Sequence, residues 1–125
     1  MEYIYRIYEE VYNDMLAGKK KVEFRLLNEK SEKIGIGDRI KFIVINNEDK
    51  YLLTRVVDKF IYEDLEVLWN CKGVLNNSLN YNKEEFIKAF NNIFGEDKVN
   101  NSKIVGFKIE VINAKKRGGK WKQID

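Results

Sequence analysis

Charged residues of both signs are concentrated in the segment GKKKVEFR, which runs from Gly18 to Arg25. From Lys21 onward, charged and apolar residues alternate, which is the period of a β-strand with one apolar and one polar face. Glu23 and Arg25 therefore project from the same face. Lys20 lies at the start of the strand, just after a glycine that can end a preceding helix. Lys21 joins this face if the strand begins there, so the sequence predicts a functional site built on three or four charged groups.

The first interpretation of these three residues is a cleft for a nucleotide or for RNA. The planar guanidinium of Arg25 can clamp a phosphate or a carbonyl group, and Lys20 can add a point charge. Glu23 can accept a hydrogen bond from the exocyclic amine of a base, as it would from N4 of cytosine. Further ligand contacts are expected from two neighbouring cations and two aromatic rings, Lys19, Lys21, Tyr62 and Tyr81.

The second interpretation is catalytic. The chain has no histidine, which excludes the Ser-His and Cys-His nucleophile pairs and the usual zinc sites. Acid–base chemistry must then use Lys, Glu, Asp, Tyr or water. Glu23 can act as the general base on a water molecule while Lys20 stabilises the developing oxyanion.

The third interpretation is structural. Glu23 and Arg25 can pair with each other, or with Arg6 or Arg55 on neighbouring strands. Such a solvated ladder is worth only about 0.2–1 kcal/mol per pair.

The elements that must position these residues follow from the hydrophobic pattern. Strands are predicted at residues 3–7, 20–26, 39–45, 51–60 and 103–112, and helices at residues 8–17, 63–69 and 82–94. Residues 28–33 are predicted to form a polar loop. Asn82 is the expected helix cap, with Glu85 at capping-box spacing. Together these elements predict an α+β fold: a small mixed β-barrel of five or six strands with two or three flanking helices.

Composition limits the class of protein. A chain of 125 residues is long enough for one domain. We expect no membrane partner, because there is no apolar run near 18 residues and no secretory signal at the N-terminus. The single cysteine, Cys71, suits a reducing cytoplasm and is expected to be a buried small residue rather than a nucleophile. We also expect no metal, no cofactor and a monomeric protein, and ordinary turn chemistry at Asp38.

The C-terminal segment is basic. Five of the 23 basic residues but only one of the 20 acidic residues lie at positions 114–125, so the rest of the chain is close to neutral. We therefore divide the chain into a domain at 1–113 and a tail at 114–125. The tail is either a solvated terminus or an arm that contacts nucleic acid through its cations and one indole ring, Lys115, Lys116, Arg117, Lys120 and Trp121.

Four short motifs in order carry a resemblance to a known family. The segment from Gly18 to Arg25 has the form G-x-K-x-x-E-x-R, and Ile36–Phe42 contains a G-D-x-I-x-F strand start. Ile104–Ile109 resembles a V-x-G-x-x-I strand, with Ile104 at the first position, and Phe60–Leu68 is an aromatic residue followed by a short acidic helix. With this order, residues 3–112 resemble the ASCH domain, which is related to the PUA-like barrels.

The resemblance implies a PUA-like barrel that binds RNA or a modified nucleoside. Some small relatives hydrolyse N4-acylated cytidine with the lysine of the motif, which corresponds to Lys20, and some are nucleases. The hydroxyl residue of that mechanism is replaced here by Glu23. The further carboxylate it requires would have to come from a residue such as Glu63 or Asp64.

Overall fold

A computed structural model describes residues 1–71, 82–115 and 122–123, with side chains through residue 114. In chain order the elements are β1 (Glu2–Ile7), α1 (Glu9–Leu16), β2 (Val22–Leu26), α2 (Glu29–Lys33), β3 (Arg39–Val44), β4 (Asn47–Tyr62), α3 (Leu65–Trp69), α4 (Lys83–Phe94), α5 (Glu96–Asn100), β5 (Ile104–Lys115) and β6 (Lys122–Gln123). Every strand and helix predicted from the sequence has a counterpart among them.

The strands form one mixed sheet with the order β1-β3-β4-β5-β2, and β6 pairs with β5. The pair β1–β3 is parallel and the other pairs are antiparallel. The sheet curves into a half-barrel, so the predicted α+β class with a mixed, barrel-like sheet is confirmed. Strands β1 and β2, which are far apart in the order of the sheet, are joined by a side chain: Nη2 of Arg25 donates to the carbonyl oxygen of Arg6 at 3.0 Å.

The described residues contain five helices rather than two or three. The segment predicted to be a polar loop at 28–33 contains α2, because Asn28 and Ser31 form a reciprocal capping box. The Asn28 side chain accepts from the Ser31 N–H at 2.9 Å, and the Ser31 hydroxyl accepts from the Asn28 N–H at 2.8 Å. A five-residue helix is held by such caps rather than by its hydrophobic pattern, so periodicity does not detect it. The expected cap at Asn82 is present: its side chain accepts from the Glu85 N–H at 2.8 Å.

Two apolar clusters hold the fold together. The first fills the interior of the half-barrel and includes Tyr5, Tyr12, Phe42 and Phe107. The second lies between β2 and the helices α3 to α5. The candidate strand β2 belongs to the second cluster through Val22 and Phe24, so its position is fixed by packing on both the sheet and the helices.

The C-terminal part of β5 runs beyond the predicted end of the last strand. Ala114 is buried in the first cluster, and β6 pairs with Asn113 and Ala114. The boundary predicted after Asn113 therefore falls inside a strand. Among the described residues, no helix is long and apolar enough to cross a membrane.

Candidate functional site

A cleft of about 840 Å³ opens between α1, β2 and α4. Its floor carries Lys20, Glu23 and Arg25, the three charged residues of the GKKKVEFR segment. The wall on the side of α4 is apolar and consists of Phe86, Ala89, Phe90, Ile93 and Phe94. A charged floor opposite an apolar, mostly aromatic wall is suited to a flat polar ligand.

The three charges form one ion-paired group. Nζ of Lys20 lies 3.3 Å from Oε1 of Glu23. Nη2 of Arg25 donates to the other oxygen, Oε2, at 3.0 Å, and Nε of Arg25 donates to the same oxygen at 3.3 Å. The Glu23 side chain is only 8% exposed, and a buried carboxylate is stable only when it is paired in this way.

Two opposing effects set the pKa of Glu23. Burial raises the pKa, while the charges of Lys20 and then Arg25, with the hydrogen bonds they donate, lower it. The cations prevail and hold the pKa of Glu23 below its usual range. Glu23 is therefore a carboxylate at neutral pH, and it is a good hydrogen-bond acceptor but a weak base.

The turn after α1 places Lys20 at the floor of the cleft. Gly18 has φ +77°, a left-handed conformation that favours glycine and ends the helix. The N–H groups of Lys19 and Lys20 both donate to the carbonyl oxygen of Asp14, at 2.9 and 3.1 Å. The chain is thereby turned back toward β2, and the Lys20 ammonium reaches Glu23 three residues further on.

The other predicted ligand residues lie elsewhere. Lys19 and Lys21 have exposed side chains and do not line the cleft. Tyr62 is buried in the second cluster, where its ring centroid lies 6.4 Å from that of Phe24. Tyr81 lies outside the described residues, as do four residues of the basic tail, Lys116, Arg117, Lys120 and Trp121. Lys115 lies in β5, and its side chain is not described.

The residues considered as further partners have local roles. Glu63 pairs with Lys103 at 3.4 Å, and Asp64 caps α3 by accepting from the Val67 N–H at 2.9 Å. Neither lines the cleft, so neither stands where a second catalytic carboxylate is needed. Arg6 lines the cleft, but its guanidinium donates to Glu48 at 3.1 Å. Arg55 lies opposite Arg39 and Glu110 in the sheet.

Sequence reasoning missed several residues of the cleft. Three carboxylates of α1, Glu9, Glu10 and Asp14, line it. Tyr8 and Ile93 also line it, and both are 53% exposed. A signal was present in α4, which carries more apolar residues than one buried stripe needs, and Ile93 belongs to this surplus.

The described side chains offer no group of three or more His, Cys, Asp or Glu residues arranged to hold a metal ion. Cys71 is half-buried beside the second cluster. Asp38 has the expected turn geometry, since its Oδ2 accepts from the Gly35 N–H at 2.9 Å. This hydrogen bond is the main cause of the lowered pKa of Asp38.

Comparison with known proteins finds similarity in structure. The hypothetical protein PH0355 aligns with 90% of this chain over 100% of its own length, with 27% identity and a TM-score of 0.77. Protein PF0455 from Pyrococcus furiosus aligns with 90% of this chain over 98% of its length, with 28% identity and a TM-score of 0.69. The ASCH protein from Zymomonas mobilis aligns with 98% of this chain over 86% of its length, with 13% identity and a TM-score of 0.61. No protein-family model and no curated protein sequence matches the chain.

Proposed function

From the premise that the chain has an ASCH-type fold, we propose that its cleft binds a base of RNA or of a modified nucleoside. One observation carries the proposal: a buried carboxylate, Glu23, is held ionised by two cations on the floor of a cleft with an aromatic wall. The carboxylate accepts from the exocyclic amine of a base, and the Lys20 ammonium donates to a ring nitrogen or a carbonyl oxygen. The volume of about 840 Å³ lies within the range typical of small-molecule sites.

The wall of the cleft supports a flat ligand. Phe86, Phe90 and Phe94 follow one another along one side of α4, with ring centroids 5.9 and 4.7 Å apart. Tyr8 stands half-exposed at the cleft. Stacking of a base on an aromatic ring contributes about 1–3 kcal/mol. The partly buried rings of Phe86 and Phe94, together with Tyr8, take the place of Tyr62 as the proposed stacking partners.

The balance of charge favours a nucleoside over a phosphate-rich strand in the cleft itself. Three basic residues line it, Arg6, Lys20 and Arg25, together with four acidic residues, Glu9, Glu10, Asp14 and Glu23. A site for several phosphates would carry an excess of cations. We therefore place the base and sugar in the cleft and any phosphates of an RNA strand outside it.

The test is a titration of the purified protein with cytidine, N4-acetylcytidine, uridine and a short single-stranded RNA. Affinity is measured by calorimetry and by the shifts of amide NMR signals. We expect cytidine to bind more tightly than uridine, because uridine lacks the amine that Glu23 accepts from. Lys20→Ala should weaken binding about ten- to hundred-fold, the cost of one hydrogen bond to a charged group. Lys98→Ala, which removes an exposed cation of α5 outside the cleft, serves as the control and should change affinity less than two-fold. Absence of binding to all four probes would refute the proposal.

Hydrolysis of an N4-acylcytidine or of RNA by the same lysine is the alternative. The lowered pKa of Glu23 makes it a weak general base, and this favours binding over catalysis. Incubation of the wild type with N4-acetylcytidine decides between them. Release of cytidine that is lost in Lys20→Ala would establish an amidohydrolase, and no release alongside measurable affinity would leave a binding protein.

We also propose that the basic tail binds phosphates when the ligand is an RNA strand. Replacement of Lys116, Arg117 and Lys120 by glutamine should then reduce the slope of log affinity against log salt by about 0.7 for each phosphate that the tail no longer neutralises. Binding of cytidine, which has no phosphate, should not change. An unchanged slope for RNA would remove the tail from the binding site.

A further inference from the structure

We infer that Arg25 is a positioning residue of this cleft: it holds the Glu23 carboxylate in place and leaves contact with the ligand to Lys20 and Glu23. The binding experiment below rests on the proposed function. The pKa experiment on the ligand-free protein does not. It replaces the direct ligand contact that the sequence predicted for Arg25 with a supporting role.

The guanidinium of Arg25 is occupied on several sides. Its Nε and Nη2 both donate to Oε2 of Glu23, and Nη2 also donates to the carbonyl oxygen of Arg6 at 3.0 Å. Its Cζ lies 4.3 Å from the centre of the Tyr5 ring, within cation–π distance. The donors on Nε and Nη2 are thus committed to a carboxylate and a backbone carbonyl, and a guanidinium that turned toward a ligand would break these interactions.

Lys20 is held differently. It makes an ion pair of 3.3 Å with Oε1 of Glu23, which uses one of the three donors of an ammonium group. Its flexible four-carbon stem allows the remaining donors to follow a ligand. Lys20 therefore suits direct contact with the ligand, whereas Arg25 suits support of Glu23.

The support beneath Arg25 extends into the core. The Tyr5 ring is buried and stacks on Phe42 with 6.3 Å between ring centroids and an angle of 20°. The Lys30 ammonium also lies over the Tyr5 ring, 4.1 Å from its centre, and donates to the carbonyl oxygen of Ile4. Two cations thus cap two carbonyls of β1, those of Ile4 and Arg6, and fix β1 relative to the floor of the cleft.

The charge of Glu23 depends on this arrangement. Besides Lys20 and Arg25, Tyr5 of β1 interacts with Glu23, and the other charged groups that line the cleft are Arg6, Glu9, Glu10 and Asp14. The part of α4 that faces the cleft is uncharged. Removal of Arg25 leaves one cation against the effect of burial, so the pKa of Glu23 should rise.

The first experiment uses the ligand-free protein. The Glu23 carboxyl carbon is titrated by NMR in the wild type, Arg25→Met and Arg25→Lys, with Lys98→Met as the control. We expect the pKa of Glu23 to rise in Arg25→Met, to rise less in Arg25→Lys, and to stay unchanged in the control. A Glu23 pKa that does not move in Arg25→Met would overturn the inference, whether or not any nucleoside binds.

The second experiment is a double-mutant cycle with cytidine as the probe. If Arg25 acts through Glu23, Arg25→Met should weaken binding at least ten-fold in the wild type but less than two-fold in the Glu23→Gln background. Lys20→Met should still weaken binding at least five-fold in the Glu23→Gln background, because its donors reach the ligand directly, although its ion pair with Glu23 makes the loss larger in the wild type. An equal loss for Arg25→Met in both backgrounds would make Arg25 a ligand contact and refute the inference. If cytidine fails to bind while the Glu23 pKa rises, the proposed function fails and the positioning role stands.

Discussion

The two faces of β2 are both buried, but by different means. Val22 and Phe24 on one face are closed off by apolar packing, and the Phe24 ring meets Phe86 edge-on with 6.2 Å between centroids. Glu23 and Arg25 on the other face form an ion pair that compensates for the loss of solvent, and their side chains are 8% and 17% exposed. The same five-residue strand thus carries a charged face that is largely desolvated and an apolar face whose shape is fixed by packing.

The difference shows how the strand serves two purposes. Apolar packing stabilises β2 whatever the state of the cleft, because it is non-directional and scales with buried area. The charged face is costly to bury and is kept only by its partners. We therefore expect substitutions on the apolar face to affect mainly stability, and substitutions on the charged face to affect stability in a pH-dependent way.

The largest expected effect is that of Phe24→Ala. Removal of this ring leaves a cavity in the second cluster and should lower the free energy of unfolding by about 3–5 kcal/mol. Urea denaturation followed by circular dichroism measures the loss. Ile36→Ala, at a side chain that is 66% exposed, is the control and should stay within about 0.5 kcal/mol of the wild type. A loss below about 1 kcal/mol for Phe24→Ala would show that the apolar face does not hold β2.

The second effect, that of Glu23→Gln, depends on pH. The pKa of Glu23 in the folded protein lies below its ordinary value of 4.5. The stability contributed by the charge is therefore present above pH 4.5 and is lost as the pH falls through the lower folded pKa. At pH 7 the variant should be less stable by about 1.5–3 kcal/mol, the value of hydrogen bonds to a charged group.

Denaturation midpoints between pH 3 and pH 8 measure this dependence. The gap between the wild type and Glu23→Gln should close below pH 4.5. Glu96→Gln, at an exposed position of α5, should remain close to the wild type throughout. A gap that stays constant with pH would mean that Glu23 is not held by its charge.

The same strand shows how far the sequence could be interpreted. The alternation from Lys21 to Arg25 predicted which residues share a face, because a strand has a period of two. It did not predict that the polar face would be buried, since burial depends on elements distant in sequence. The aromatic wall of α4 lies some sixty residues downstream of β2.

Other differences between the sequence-based predictions and the structure have similar causes. The short helix α2 depends on hydrogen bonds between Asn28 and Ser31, which leave no periodic signal. Tyr62 has an aromatic side chain that can stack on a base, but its position on β4 directs it into the second cluster. Local patterns thus predicted the strands and the shared face of Glu23 and Arg25, while the residues across the cleft were set by tertiary packing.

The third prediction concerns the close contact between β5 and the Phe24 ring on the apolar face of β2. Gly106 on β5 lies opposite Phe24 in the sheet, and a Cβ added there would lie 2.9 Å from Cε1 of Phe24. Gly106→Ala should therefore cost about 1–3 kcal/mol by overpacking. Gly35→Ala is the matched control, because its Cβ would meet only Asp38 Oδ2 at an ordinary 3.9 Å. Equal stabilities of the two variants in thermal denaturation would contradict the prediction.

The smallest effect is expected for an ion pair that is exposed to solvent. Lys103 and Glu63 form an ion pair of 3.4 Å whose side chains are 53% and 73% exposed. Lys103→Ala should cost no more than about 0.5 kcal/mol, and the cost should vanish in about 0.5 M salt, because exposed pairs gain little and are screened. Lys20→Met, measured in the same way, should cost more and should keep most of its effect in salt, since Glu23 is buried. If both substitutions cost the same and respond alike to salt, the charged face of β2 is no different from the surface, and the contrast between its two faces does not hold.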